Sequence, residues 1–304
     1  RLCVLEALNW NLIHAEAVDE LMGCEIPDRA KYIRVIMAEL SRIQSHIIWY
    51  GVFSIGCGFD TGFKLAFAFR DHILDLFEMI TGGRVYPTGY ICPGGVRRDI
   101  SDKAVDKIRD VLKRIDEIEH LDEIENPTLL SRSEDIGVLN ISDAIRLGAT
   151  GPVLRGSGMR TDVRMEEPYE VYDRFDFDIP VRRKGDAYSR YSVGLDEIKQ
   201  SIDIVKQALD DLPEGDFIDK RFKKPNLAMK IPEGEVYVRN EVARGEAGIY
   251  MVSNGGTTPY RVKVRGPSFL HMITVLQHLL KGVEIADIPA IYWSLNVCPA
   301  DLDR

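Results

Sequence analysis

A run of apolar residues at helical spacing between residues 28 and 54 constrains the fold of this chain more than any other feature. The stripe consists of Ile33, Ile36, Met37, Leu40, Ile43 and Ile47. Pro27-Asp28 stands just before it, where a proline and an acidic residue favour the start of a helix. A long helix with one apolar face has to bury that face against other helices, so the sequence predicts a helical bundle.

Four other segments repeat the helical pattern and supply packing partners for that helix. They are residues 1–22, a segment from the glycine-rich break at 56–62 to Ile80, residues 100–122, and Gly194 to Pro213. Gly23 and Pro213 are expected to end the first and the last of these helices.

The segment from residue 233 to 265 is different in kind, because its apolar residues alternate and turn residues interrupt them. Asn254-Gly255-Gly256 is a hairpin signal, with residues 248–253 and 260–264 as its expected arms. Two short helices, about 268–281 and 283–292, are then expected to bring Cys298 back toward the bundle.

These patterns predict an α+β fold, mainly α, with a long helix bundle as the core and a small antiparallel sheet region. We expect residues 1–215 to form the bundle with inserted loops. Residues 216–304 are expected to form the antiparallel β region and the C-terminal helices that close on the bundle.

Composition excludes several classes of function. The net charge is −9, whereas a nucleic-acid-binding face is basic, so we expect no nucleic acid partner. No apolar run reaches the length of a membrane span, so any membrane link would come through a partner. Five cysteines without disulfide spacing favour a reducing compartment. Because Arg1 opens straight into helical pattern without Met, we expect the natural N-terminal region to be missing.

The two ends of the chain carry matching motifs. Cys3-Val4-Leu5-Glu6 and Cys298-Pro299-Ala300-Asp301 each look like a C-x-x-C pair whose second cysteine has become an acid. Two complete pairs would offer four thiolates to a soft metal, and each pair here lacks one. We therefore expect no bound metal.

Other irregular segments lie between these ends. Pro93-Gly94-Gly95 places two glycines where backbone has to approach something closely. The segment from Gly151 to Gly158 resembles a tight, glycine-bounded loop that presents one arginine, Arg155. Taken singly, each of these is explained by an ordinary surface turn with incidental charge.

In their order along the chain, these segments resemble the D-type subunit family of NADH-quinone oxidoreductase (respiratory complex I), within the nickel–iron hydrogenase large-subunit superfamily. The matching segments are Pro27-Asp28-Arg29-Ala30, Tyr32-Ile33-Arg34-Val35, Glu39-Leu40-Ser41-Arg42, Ser45-His46, Pro93-Gly94-Gly95-Val96, Glu167-Pro168-Tyr169, Arg244-Gly245-Glu246, Pro259-Tyr260-Arg261 and Asp303-Arg304. The resemblance implies a hydrogenase large-subunit-like fold. Because Cys3 and Cys298 are retained, the chain looks most similar to the D-type branch found in the archaeal coenzyme-deazaflavin dehydrogenase.

The resemblance also implies a function. It is that of a quinone- or methanophenazine-reducing subunit of a membrane-attached NADH or deazaflavin-coenzyme dehydrogenase complex, which couples electron transfer to proton translocation. Iron–sulfur clusters would belong to partner subunits, chiefly a B-type small subunit that shares the carrier cavity. The other implied partners are the C-type and I-type subunits and the H-type membrane subunit. The implied location is the cytoplasmic face of the cell membrane, reached through these partners.

The end motifs and the resemblance indicate one group of site residues. The expected catalytic residues are Arg244, Glu6, Asp301 and His46. The expected residues of the carrier cavity are Cys3, Val4 and Cys298. Arg244 matches the arginine that faces the metal in the hydrogenases, whereas Val4 and Gly56 stand where family members have a tyrosine and an acid. An arginine with neighbouring acids can bind a quinone oxygen through charge-assisted hydrogen bonds.

Other interpretations of the same residues remain open. Free cysteines are more often small buried hydrophobic residues than reactive thiols, and His46 suits a core position as well as a proton relay. The chain is also compatible with a large subunit of a hydrogenase-related energy-converting complex, which metal analysis would identify. A non-catalytic assembly scaffold is the third alternative, and carrier reduction by the assembled complex would discriminate it.

Overall fold

The computed structural model describes residues 2–116, 127–224 and 228–303. Its α-helices are α1 (Ala7–Met22), α2 (Asp28–Gly56), α3 (Asp60–Thr81), α4 (Asp102–Asp116), α5 (Pro127–Ser131), α6 (Ile141–Arg146), α7 (Gly151–Gly156), α8 (Val163–Glu166), α9 (Ala187–Asp210), α10 (Pro267–Leu270), α11 (Gln277–Leu279), α12 (Ile288–Ser294) and α13 (Pro299–Leu302). A π-helix (His271–Leu276) joins α10 to α11, and 3-10 turns cover Tyr172–Arg174, Lys220–Phe222 and Ile285–Asp287. The strands are β1 (Ile91–Cys92), β2 (Gly95–Val96), β3 (Gly234–Val242), β4 (Gly245–Ser253) and β5 (Arg261–Arg265).

Helix α2 is the centre of the fold. The apolar stripe predicted along it is buried in the main hydrophobic core. Helix α2 packs against α1, α3, α9 and α12. Gly194 of α9 lies so close to α2 that an added Cβ would stand 2.2 Å from the ring of Trp49. This close packing fixes Trp49, which lines the site described below.

The β3-β4-β5 sheet is antiparallel and packs against α1. A second apolar cluster, which includes Ile13 and Ala17 of α1 and Ile249 of β4, fills that contact. The predicted hairpin is confirmed, since Gly248 of β4 pairs with Arg265 of β5. At the other end of β4, Gly245 pairs with Val242, so only two residues connect β3 to β4.

Several predicted boundaries need correction. Helix α1 begins at Ala7 rather than at residue 1, because the backbone of Glu6 is not helical. The carboxylate of Glu6 accepts from the backbone N–H of Ala243. Helix α4 begins at Asp102, and residues 117–122 of that prediction lie outside the described residues. Helix α9 begins at Ala187 because Asp186 caps it by accepting from the N–H of Ser189.

The loop predicted from Gly151 to Gly158 is mainly a short helix, α7, and the prediction that it presents Arg155 is wrong. Pro152 suits the first turn of a helix. Arg155 is fully buried because two carboxylates, those of Glu197 and Glu241, bind its guanidinium. In contrast, the close approach predicted at Pro93-Gly94-Gly95 is confirmed: a Cβ on Gly95 would stand 2.4 Å from the backbone oxygen of Phe217.

The predicted α+β fold, mainly α with small antiparallel sheets, is confirmed. The domain boundary expected near residue 215 stays a prediction. Within the described ranges, no helix combines the length and the apolar character needed to cross a membrane.

Candidate active site

Four predicted site residues, from both ends of the chain, lie around the buried guanidinium of a fifth, Arg244 in the β3–β4 turn. Arg244 is only 3% exposed. Its Nη1 donates to Oε2 of Glu6 at 2.6 Å and to Oγ of Ser45 at 3.1 Å. Burial alone would lower the pKa of Arg244, but its electrostatic interactions with Cys3, Glu6, Cys298 and Asp301 outweigh burial and raise that pKa. The structure thus brings the two end motifs together at Arg244.

The two-residue turn Ala243-Arg244 is held in place by backbone contacts. Ala243 donates its N–H to Oε1 of Glu6 at 2.5 Å, and its carbonyl accepts from Nδ2 of Asn296 at 3.3 Å. Gly245 follows the turn with φ +124°, where a side chain would be strained. Gly151 packs directly on it, since a Cβ on Gly151 would stand 2.3 Å from Cα of Gly245. These contacts leave Arg244 little freedom to move.

The C-terminal motif is anchored through Ser268. The backbone N–H of Cys298 donates to Oγ of Ser268 at 3.0 Å, and the N–H of Ser268 donates to Oδ2 of Asp301 at 3.0 Å. Asp301 also lies against Gly266, where a Cβ would stand 1.6 Å from Oδ1. Burial raises the pKa of Asp301, and its Oδ1 has no hydrogen-bond partner.

Cys3 and Cys298 form a hydrogen-bonded thiol pair with unequal acidity. The hydrogen bond from Cys3 lowers the pKa of Cys298 to about 6, and the charge of Arg244 acts in the same direction. The same hydrogen bond, together with burial, raises the pKa of Cys3. Cys298 is therefore the thiolate of the pair at neutral pH, and both residues are free of disulfide bonds.

A cavity of about 140 Å³ opens beside this cluster. It is lined by Leu5, Ile48, Trp49, Val52, Arg244, Trp293, Asn296, Val297, Cys298 and Pro299. Nε1 of Trp49 donates to the backbone oxygen of Trp293 at 2.6 Å, which ties two of its walls together. The cavity is mostly apolar, with a guanidinium, an amide and a thiol as its polar groups.

Two of the predicted residues lie elsewhere. Val4 is 41% exposed, and it is its neighbour Leu5 that lines the cavity. His46 is fully buried and its Nε2 lies 2.8 Å from Oε2 of Glu197. This bond places His46 in an adjacent cluster that we call the buried ionic network. Its members are Glu39, Arg42, His46, Arg155, Asp162, Arg164, Glu197 and Glu241.

Sequence reasoning missed several residues of the site. Trp49 lies one turn after Ser45 on α2, so the two side chains are on the same face of the helix. Because Ser45 contacts Arg244, this spacing indicates that Trp49 is near the site as well. Glu241 stands three residues before Arg244 on the same hairpin. Trp293 carried no such signal, because its contact with Trp49 joins residues far apart in the sequence.

Comparison with known proteins identifies the family. A model of the 49 kDa subunit of respiratory-chain NADH dehydrogenase matches residues 56–304. The chain belongs to this family. The D-2 subunit of the NADH-quinone oxidoreductase of Rhizobium meliloti is 40% identical over 97% of this chain and 78% of its own length. The D-type subunit of Desulfotalea psychrophila is 41% identical over 100% of this chain and 81% of its own length. The H-type subunit of the NAD(P)H-quinone oxidoreductase of a Synechococcus strain is 40% identical over 96% and 80%.

A solved structure supports the same assignment. A chain of the membrane-bound sulfane sulfur reductase, an archaeal respiratory membrane complex, superposes with a TM-score of 0.93 and 40% identity. The match covers 100% of this chain and 83% of that one. The resemblance to the D-type subunit family of NADH-quinone oxidoreductase and its hydrogenase-like fold is therefore confirmed, and relatives in this family are named as oxidoreductase subunits.

The residues of this 49 kDa-type chain do not fit the four-thiolate metal site of the superfamily. Glu6 and Asp301 stand where two thiolates would be needed. Glu6 is already bound by Arg244, Asn9 and the N–H of Ala243. In the described part of the chain, no group of three or more His, Cys, Asp or Glu residues is arranged to hold a metal ion.

Proposed function

We propose that this chain forms the site at which a membrane-attached respiratory oxidoreductase reduces its carrier, a quinone or methanophenazine, in the cavity beside Arg244. The observation that carries the proposal is the form of that cavity. Two tryptophan walls suit a flat aromatic headgroup, and Arg244 is placed to bind an oxygen or nitrogen of that headgroup through a charge-assisted hydrogen bond.

Family membership supports the proposed partners. An iron–sulfur cluster in a B-type small subunit supplies the electrons. The C-type and I-type subunits and the H-type membrane subunit complete the complex at the cytoplasmic face of the membrane, with NADH or a deazaflavin coenzyme as donor. The names of the relatives and the respiratory membrane complex that contains the similar solved chain support a multi-subunit oxidoreductase assembly at a membrane. Coupling of this assembly to proton translocation is part of the proposal.

Protons must accompany two-electron reduction of such a carrier, and the site offers donors for them. Asp301, whose pKa is raised by burial, retains a proton to a higher pH than an exposed aspartate. Glu6 has a different role, because Arg244 and Ala243 hold both of its oxygens. We propose that Glu6 positions Arg244 and that Asp301 is a proton donor.

A second candidate acceptor is sulfane sulfur. The paired thiols favour it, because the Cys298 thiolate lines the cavity and a thiolate attacks S–S bonds. The attack breaks one S–S bond of the acceptor, releases a shortened polysulfide and leaves a persulfide on Cys298. Cys3, hydrogen-bonded to Cys298, is placed to displace the outer sulfur as sulfide and form a Cys3–Cys298 disulfide. Two electrons from the iron–sulfur partner and two protons would then restore both thiols. The structural neighbour named as a sulfane sulfur reductase adds weight to this alternative.

Turnover assays on the purified parent complex test both candidates. We would measure reduction of decylubiquinone and of inorganic polysulfide by the wild type, Arg244→Lys and Cys298→Ser, with nickel quantified alongside. Quinone reduction that falls in Arg244→Lys but survives Cys298→Ser supports the first candidate. Sulfur reduction abolished by Cys298→Ser supports the second. Stoichiometric nickel would instead favour the hydrogenase-type alternative. A parent complex that reduces neither acceptor would favour the assembly scaffold.

A further inference from the structure

The buried ionic network contains charges that do not cancel. All eight of its side chains belong to residues at most 3% exposed. Its three arginines face four carboxylates, those of Glu39, Asp162, Glu197 and Glu241. An uncompensated charge in a protein interior is strongly disfavoured. With four carboxylates against three arginines, the network is expected to bind one further proton.

Three of the four carboxylates are held in their ionised form. Glu39 is bound by Arg42, Arg164, Tyr172 and Ser201, and these partners overcome burial and lower its pKa. Asp162 is bound twice by Arg164, and its pKa is also lowered despite burial. For Glu197, Arg155 and His46 outweigh burial and lower the pKa to about 2.

Glu241 is the exception. Its Oε1 accepts from Nη1 of Arg155 at 2.8 Å, and its Oε2 accepts only a long bond from the N–H of Val163 at 3.3 Å. Arg155 divides its charge among Glu241, Glu197 and Asp162. Burial and the negative charge of Asp162 raise the pKa of Glu241 to about 7, and Arg155 and Arg42 offset them only in part. The exchangeable proton of the network is therefore assigned to Glu241.

Glu241 is close to the cavity. Glu241 stands three residues before Arg244, and three residues of chain span at most about 10 Å. On the other side, His46 follows Ser45, whose hydroxyl accepts from Arg244. A unit negative charge at that distance raises the proton affinity of a buried carboxylate about tenfold. A charge that enters or leaves the cavity thus changes the protonation of the network.

We propose that the buried ionic network is a proton-loading site for the cavity: Glu241 binds a proton when negative charge arrives beside Arg244 and releases it when that charge leaves. On uptake, an O–H bond forms on the Glu241 carboxylate with a proton taken from water, and on release that bond breaks and the proton returns to water. The proposal rests on the proposed function in one respect, because it takes an electron acceptor in the cavity as the source of the charge. Glu241 acts on the site through its charge and is a positioning residue.

A matched pair of variants supplies the charge without any acceptor. In the parent complex, Cys298→Asp places a fixed negative charge at the cavity, whereas Cys298→Asn has the same size and no charge. Infrared difference spectroscopy during a pH titration reports the C=O band of a protonated carboxyl group. Glu241→Gln in each background identifies the band, and Glu246→Gln, the cross-strand neighbour of Glu241 with a partly exposed side chain, is the control.

We expect a band that titrates near neutral pH, disappears in Glu241→Gln and remains in Glu246→Gln. Its midpoint should be about one pH unit higher in Cys298→Asp than in Cys298→Asn. Glu241→Asp should retain a titrating band, and it replaces Glu241→Gln if that variant does not assemble. Equal midpoints in the two Cys298 variants, or a band that is unchanged by substitution of Glu241, would overturn the proposal. Decylubiquinone turnover of the wild type is read separately, so a failure of the proposed function is distinguished from a failure of this inference.

Discussion

Glu39, which lies on α2, and Arg244, which contacts α2 through Ser45, are both buried charges, yet their surroundings differ. Glu39 accepts hydrogen bonds from Arg42, Arg164, Tyr172 and Ser201, which use its full capacity. Arg244 donates from one terminal nitrogen, its Nε has no partner, and a cavity opens beside it. A saturated charge holds helices together, whereas an unsaturated one is available to a ligand. This difference separates the scaffold of the molecule from its candidate site.

Removing the charge of Glu39 is expected to have the largest effect. Glu39→Gln leaves Arg42 and Arg164 without a shared counter-charge in the core. Loss of one partner from a buried ion pair destabilises a protein by about 3 to 5 kcal/mol. Thermal unfolding and recovery of the parent complex measure the effect, with Glu246→Gln as control. An unchanged unfolding temperature for Glu39→Gln would show that the network is not structural.

Substitution of Arg244 is expected to reduce activity rather than stability. Arg244→Lys keeps a positive charge but loses the planar guanidinium group that binds Glu6 and faces the cavity. Acceptor reduction should fall roughly 100-fold, as for loss of a preorganised donor, while the complex assembles normally. Steady-state turnover with size-exclusion analysis measures both properties. Loss of assembly with normal turnover of the remaining complex would reverse the roles assigned to Arg244 and Glu39.

The acidity of Cys298 gives a smaller, pH-dependent effect. Because its pKa is lowered to about 6, the thiolate is present above that pH and is lost as the pH falls below it. The rate of alkylation at Cys298, followed by mass spectrometry, should therefore decline below about pH 6. In Arg244→Gln the midpoint should rise by about one pH unit or more, since a nearby positive charge is removed. A midpoint near 9 in the wild type would contradict the inferred thiol pair.

The smallest effect is expected at a surface cluster that superficially resembles the buried ones. Arg84 contacts Asp71, Asp75 and Glu78, and all four side chains are at least 36% exposed. Solvent screens such pairs, so Arg84→Gln should leave both turnover and the unfolding temperature unchanged. A measurable loss in either would mean that burial is not what distinguishes Glu39 and Arg244.

Local patterns in the sequence predicted much of the scaffold. The apolar stripe of α2, the stop at Gly23 and the hairpin of β4 and β5 all follow from spacing and turn residues. The burial of Arg155 did not follow, because its partners Glu197 and Glu241 lie 42 and 86 residues away.

The candidate site was predicted only in part. The matching motifs at the two ends indicated that Cys3, Glu6, Cys298 and Asp301 would converge, and the structure places them around Arg244. The roles assigned to these residues stay proposals. The tryptophan walls of the cavity depend on packing between α2 and α12, which no local pattern specifies.

Protection of Cys298 by the acceptor shows whether the carrier binds in the cavity beside Arg244. The parent complex would be alkylated at pH 7 with and without saturating decylubiquinone, and in parallel with inorganic polysulfide, and the modification of Cys298 would be quantified by mass spectrometry. If the carrier binds in the cavity, decylubiquinone slows the alkylation of Cys298 in the wild type and has less effect in Arg244→Lys. If Cys298 is alkylated at the same rate while the complex turns over either acceptor, reduction takes place elsewhere and the account is wrong.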